Sequence, residues 1–295
     1  MITLQPPAVL LQGAPGSGKT DSIATLVASG LETFVLMTEP GAVESLLDGC
    51  SRRNIPIDKL HWTSVLPAAA GWKAVTDMVK AIGAQGFMDL QNIKSGVGKE
   101  ETRKPAMALL EAMSNFPCER TGERYGDVTT WDASRAFVID SLSGLSLISM
   151  ALTIGYKPAA HQGEWGVAMN FLEQLLLKVT SDRKCFFVLT AHVEKELNEI
   201  TGVTQVMAST LGRKLAPKIP RFFSEVVYAK RTVANNAPRF TWSTVDAAAD
   251  LKNRALPVSS DLAPDFAPIV TAYRRRLAAA SGSKETTPAS PQAAR

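Results

Sequence analysis

The sequence predicts an α/β protein built on a mostly parallel central sheet flanked by helices. Three observations carry this. Short apolar runs of strand length recur along the chain, segments with helical apolar spacing lie between them, and the first run leads into a glycine-rich turn. The runs AVLLQ (8–12), TFVLM (33–37), RAFVID (135–140) and KCFFVLTA (184–191) are continuously apolar rather than alternating. Such runs suit strands buried on both faces, as in parallel sheets. Helical patterns fall at 19–29, 41–50, 71–83, 105–115, 141–153 and 165–181.

The character changes after residue 192. ELNEITGVTQVMAST (196–210) has a Thr-Gly turn between β-rich flanks and reads as a hairpin or a mobile loop. SEVVYAKRTV and PRFTWSTV then read as late antiparallel strands, followed by a last helix at about 262–280 carrying AYRRRLAAA. Residues 1–280 are expected to form one domain. SGSKETTPASPQAAR (281–295) is small, polar and proline-containing, which predicts a disordered tail. The polar, Gly- and Lys-rich stretch 85–104 reads as a surface loop inserted into the core.

With 45% hydrophobic residues, 7% aromatic and 20% charged, the 295-residue chain has the composition of a soluble globular protein. A net charge of +4 permits a nucleic-acid partner without demanding one. Cys50, Cys118 and Cys185 are odd in number and widely spaced, which argues against a disulfide framework or a zinc site. No apolar run approaches the roughly 18 residues of a membrane span. MITLQPPAVLLQG lacks the basic start of an export signal, so the expected location is the cytoplasm.

Gly13-Ala14-Pro15-Gly16-Ser17-Gly18-Lys19-Thr20 fits the pattern GxxxxGK[ST] at every fixed position, between an apolar run and a helical pattern. Glycines let successive N–H groups turn inward onto phosphate oxygens, and the following helix, with Asp21, opens at the same anion. Lys19 would reach the terminal phosphates and Thr20 would ligate Mg²⁺, making ATP and Mg²⁺ the expected ligands. RAFVID ends in Asp140, which suits a carboxylate holding Mg²⁺ through water; it also stands where it could cap the helix starting near Ser141. Ser141 follows it, whereas the AAA+ family usually places its catalytic glutamate directly after this Asp, so an activating base is expected elsewhere. Glu39, at the end of TFVLMTE, could orient an attacking water. His192 ends CFFVLTAH, where proteins of the RecA family keep a polar residue that senses the γ-phosphate; that resemblance implies the same role for His192, as a hydrogen-bond donor.

GAPGSGKT, Glu39, AFVIDSLSGLS, VLTAHVEKE and LKNRALPVS together resemble a RecA-like P-loop NTPase core over roughly residues 8–270. They resemble more narrowly the phage-encoded Rad-type group called Sak-type. That resemblance implies an ATPase serving single-strand annealing, recombination or replication in a host cytoplasm. It implies catalytic roles for Lys19, Glu39 and His192, and a Lys252-x-Arg254 pair inserted into a neighbouring subunit's site. It also implies a homo-oligomer, ring or filament, with single-stranded DNA and a single-strand-binding or recombination protein as partners. The long 85–131 segment departs from a minimal core of this kind. The segment 195–221, after His192, is where the resemblance places a DNA-contacting loop. It offers Arg213, Lys214, Lys218 and Arg221 for phosphates, or an amphipathic helix lying on the sheet. A competing function is a nucleotide-gated assembly protein, or a motor or loader for another machine, without direct DNA binding.

Overall fold

The computed structural model describes residues 4–84, 99–157, 159–197, 202 and 204–281. The chain runs through β1 (Ala8–Gly13), α1 (Lys19–Ser22), α2 (Ala24–Ala28), β2 (Glu32–Met37), α3 (Ala42–Arg52) and β3 (Leu60–Ser64). There follow α4 (Trp72–Ala84), α5 (Lys99–Ser114), β4 (Arg135–Asp140), α6 (Leu142–Ile154), α7 (Gln162–Ser181) and β5 (Phe186–Ala191). The last part holds β6 (Val193–Leu197), β7 (Thr204–Ala208), α8 (Gly212–Leu215), a 3-10 helix (Ala216–Phe222), β8 (Glu225–Ala234), β9 (Ala237–Ser243) and α9 (Ala267–Ala280).

Seven strands form one sheet in the order β3-β2-β4-β5-β1-β8-β9. Every neighbouring pair is parallel except β8 and β9. Every residue of β1 and β5 is buried, as their unbroken apolar runs require. Successive side chains leave on opposite faces, which divides the core in two. Leu10, Phe34, Phe137 and Leu189 meet Leu109, Leu145 and Leu172 from α5, α6 and α7 on one face. Leu11, Val35, Val138 and Val188 meet Ile23, Leu26, Leu46 and Ile269 from the α1–α2 segment, α3 and α9 on the other. Each such buried aliphatic side chain contributes about 1.5–3 kcal/mol.

Several expectations need adjusting. β3 was not expected: LHWTS is only five residues long and contains His61, which is buried and stacks on Phe34 at 4.6 Å. α5 begins at Lys99, inside the expected 85–104 loop, with Glu100 and Glu101 in its first turn. The remainder of that loop, 85–98, lies outside the described residues, as does the tail from 282 onward. The segment following α5, part of the long 85–131 stretch, packs on the sheet. Phe116, Tyr125 and Trp131 return their rings to Phe34 at 5.3, 4.9 and 4.2 Å. β8 is antiparallel to β9, as expected of the pair, but parallel to β1. β6 and β7 form a separate antiparallel hairpin. The last helix starts at Ala267 rather than 262, because Leu262 is tied to Trp242 as a β-bridge and Pro268 sits in the first turn. No helix among the described residues is long and apolar enough to cross a membrane.

Candidate functional site

Parallel strands deliver their carboxyl ends to one edge of a sheet, and loops at that edge can converge on a ligand. Here β2, β4, β5 and β1 are consecutive in the sheet, and Glu39, Asp140, His192 and the glycine-rich loop lie at or just beyond their ends. A cavity of about 1100 Å³ opens there, lined by Pro15 through Asp21, Glu39, Asp140 and His192 and, further out, by α3, Phe240 and Pro264.

The loop's glycines are used in two ways. Gly16 and Gly18 have φ of 70° and 83°, the left-handed region that favours glycine. A Cβ on Gly13 would stand 2.4 Å from the Ala229 carbonyl oxygen and 2.6 Å from Ser17 Oγ, so the loop can leave β1 only without one. Ile23 is itself helical and joins α1 to α2. Lys19 Nζ donates to the carbonyls of Gly13 (2.9 Å) and Ala14 (3.0 Å) and lies 3.4 Å from His192 Nδ1. Burial draws its ammonium down to about 8, with Asp140 and Glu39 pulling the other way.

Thr20 Oγ1 donates to Asp140 Oδ2 at 2.7 Å, and Thr190 Oγ1 donates to Oδ1. Burial pushes the Asp140 carboxyl up, while the bonds from Thr190 and Thr20 oppose it. The next residue, Ser141, caps α6 through its own hydroxyl, leaving Asp140 facing Thr20. The peptide between them is cis. Ser141 also donates its hydroxyl to Glu39 Oε1, and its backbone is clamped by Thr38: Ser141 N to Thr38 Oγ1 and Thr38 Oγ1 to Ser141 O, each 2.8 Å. His192 Nε2 lies 3.2 Å from Glu39 Oε2. The hydrogen bond from His192 holds the Glu39 carboxyl below the usual carboxylate range, against burial and with help from Ser141. The contacts on both ring nitrogens fit the tautomer with its proton on Nε2, accepting from Lys19 and donating to Glu39.

The donor set suits a triphosphate with a divalent cation. Ser17 Oγ is buried in the loop with no hydrogen-bond partner, an orphan that a phosphate oxygen would satisfy. Among the described residues no group of three or more His, Cys, Asp and Glu side chains could hold a metal by itself. Thr20 and Asp140 suit Mg²⁺, which keeps waters and takes phosphate oxygens beside one or two protein ligands.

Other expected site residues lie elsewhere or are engaged. Asp21 lines the cavity, but its carboxylate pairs with Arg52 and Arg53; burial raises it, and hydrogen bonds from Arg53 and Arg52 bring it below the usual range. Lys252 and Arg254 are not brought to the cavity. Lys252 bridges Val226, which is in register with Leu10, three residues before Gly13, and its Nζ donates to the Pro220 and Phe223 carbonyls at 2.8 and 3.4 Å. The Arg254 N–H donates to Glu225, and its side chain is exposed. In the basic segment, Lys218 and Arg221 both pair with Glu173, and Arg221 also lies 4.9 Å over the Phe222 ring. Lys214 is exposed, and the Arg213 side chain lies outside the described ones. Leu211, Leu215, Ile219 and Phe223 face the core, so residues 211–223 form an amphipathic helical layer. The described residues before them in the 195–221 segment include the end of β6 and all of β7.

The sequence reading missed Thr38, Ser141 and Thr190 as the groups that orient the site's carboxylates. Thr38 and Ser141 each adjoin an acid at a strand end and Thr190 lies two residues before His192, and that proximity was the available signal. It also missed Arg52, Arg53, Arg231 and Phe240, which nothing in a single sequence assigns to this edge. No family model and no curated protein matches the chain.

Proposed function

We propose that this chain is a RecA-like P-loop ATPase that binds ATP with Mg²⁺ and hydrolyses it while acting on single-stranded DNA. One observation carries the reading: Lys19, Thr20, Glu39, Asp140 and His192, chosen from four separate strand ends, form two hydrogen-bonded sets within one cavity. Mg²⁺ bound with the triphosphate supplies charge neutralisation at the group being transferred. Loop amides, Ser17 and Lys19 would hold the phosphates, and Thr20 and Asp140 would hold the metal. Glu39, kept ionised by His192 and Ser141, is the group able to orient water and accept its proton. His192 touches both Lys19 and Glu39, and Ser209 N donates to the His192 carbonyl at 2.7 Å. A change at the phosphate therefore has a short route to the β6–β7 hairpin.

The position of Arg254, exposed and away from its own cavity, is compatible with service to a neighbouring copy in a ring or filament. The pairing of Lys218 and Arg221 with Glu173 favours a second reading, a nucleotide-gated assembly protein or loader with no direct grip on DNA. ATP turnover with and without single-stranded DNA separates the two. Stimulation by DNA that weakens steeply with salt supports the first. DNA-independent turnover with nucleotide-dependent assembly supports the second.

A further inference from the structure

The β8–β9 hairpin turns one cross-strand pair, Arg231 and Phe240, toward the phosphate loop. The placement follows from register. Ala229 pairs with Gly13 on β1 and with Trp242 on β9, and both Ala229 and Trp242 are buried in the core under the phosphate-loop helix. Two residues further along each strand the same face emerges over the loop. A Cβ on Gly18 would lie 3.2 Å from Phe240 Cδ1, and one on Gly16 3.5 Å from an Arg231 guanidinium nitrogen. The hairpin is held in this pose by a two-residue turn, Asn235 and Asn236, with φ of 51° and 59°.

Both side chains have capacity to spare. Phe240 lines the cavity and is 39% exposed, an aromatic ring left half open beside a phosphate cradle. Its neighbours on the hairpin are paired: Lys230 with Asp246 and Arg239 with Asp261. Arg231 is exposed, and its guanidinium lies 6.0 Å from the centroid of the Phe240 ring.

The geometry points to this hairpin as a third wall of the nucleotide site. Phe240 presents the face on which the base of a nucleoside triphosphate stacks, and Arg231 supplies a cation to its phosphate chain from within the same subunit. The inference rests on the nucleotide reading above. Stacking on a phenyl ring recognises a base as a class without selecting among bases. With no carboxylate paired to it among the described residues, the Arg231 guanidinium is suited to phosphate oxygens.

The test measures equilibrium binding of the full chain, with Mg²⁺, to two probes: ATP, and inorganic tripolyphosphate, which has the charge but no base. Phe240→Ala is expected to weaken ATP on the order of ten-fold and to leave tripolyphosphate unchanged. Phe240→Leu keeps apolar packing on Gly18 without a ring and behaves like Phe240→Ala, whereas Phe240→Trp retains ATP affinity. Arg231→Ala weakens both probes, and more so at low salt. Equal weakening of both probes by Phe240→Ala, or undiminished ATP affinity in Phe240→Leu, overturns the role given to the ring. Undiminished tripolyphosphate binding in Arg231→Ala overturns the role given to the guanidinium. Wild-type protein that binds neither probe overturns the nucleotide reading itself, a result distinct from any variant-specific failure.

Discussion

The carboxyl edge of the sheet and the basic segment after His192 were both marked by charged residues, and the fold treats them in opposite ways. At the sheet edge, Lys19 and His192 are separated by 173 positions and Thr20 and Asp140 by 120, yet each pair meets inside one cavity. The groups there are buried or half-buried, and the protonation of Lys19, Glu39 and Asp140 is displaced by burial and by neighbouring groups. In the basic segment, Lys218 and Arg221 share the single carboxylate of Glu173 on the adjoining helix, at the surface. Exposed pairs of that kind are worth about 0–1 kcal/mol. Position at a strand end in a parallel sheet is a statement about tertiary structure; a local run of cations is a statement about solvation.

Four expected outcomes break or sharpen this contrast. The largest concerns Glu39. Glu39→Gln should lower ATP turnover on the order of 100-fold while nucleotide binding persists; turnover near wild type in steady-state assays would remove Glu39 from the chemistry. Gly144→Ala comes next. A Cβ there would fall 2.2 Å from Thr38 Oγ1, forcing apart the clamp that sets Ser141 and, through it, Glu39. A loss of about 1–3 kcal/mol in denaturant unfolding, with a matching loss of turnover, is expected.

The third outcome is a pair of opposite pH slopes from Lys19. Its folded value of about 8 lies below the ordinary 10.5, so the unfolded chain binds more protons between those limits. Its contribution to fold stability therefore rises with pH across that window and is lost as pH falls through about 8. Triphosphate binding needs the ammonium, so affinity should fall by up to about ten-fold per pH unit above that point, with proton uptake on binding. Calorimetry in buffers of different ionisation enthalpy reads the uptake; proton release would contradict the assignment. The smallest effect is at the basic segment. Glu173→Ala should change stability by under about 1 kcal/mol and, where DNA binds this face, strengthen single-stranded DNA binding at low salt.

Much of the architecture was legible because burial on both faces leaves a direct mark on composition. β1, β2, β4 and β5 are the continuous apolar runs, and the glycine-rich turn fixes which strand end is the site. β3 was hidden because it is short and carries His61, whose burial depends on stacking against Phe34 and Tyr125 from distant segments. The start of α5 was hidden by the charged stretch Lys99 to Lys104, which reads as loop but forms the first turns of a helix, with Glu100, Glu101, Arg103 and Lys104 exposed and Thr102 buried. At the site, Lys19, Thr20, Glu39, Asp140 and His192 could be chosen from strand ends alone. The third wall could not. Arg231 and Phe240 reach the loop only through the register of β8 on β1 and of β9 on β8, and pairing partners are not written in local sequence.

The central claim, that the loop at the end of β1 grips a triphosphate with a cation, is tested most directly by titrating MgATP into the full chain in a calorimeter at pH 7. The account expects saturable binding that Lys19→Ala reduces on the order of 100-fold while the variant remains folded by circular dichroism. Absence of binding to the wild type, or equal binding by Lys19→Ala, would contradict it.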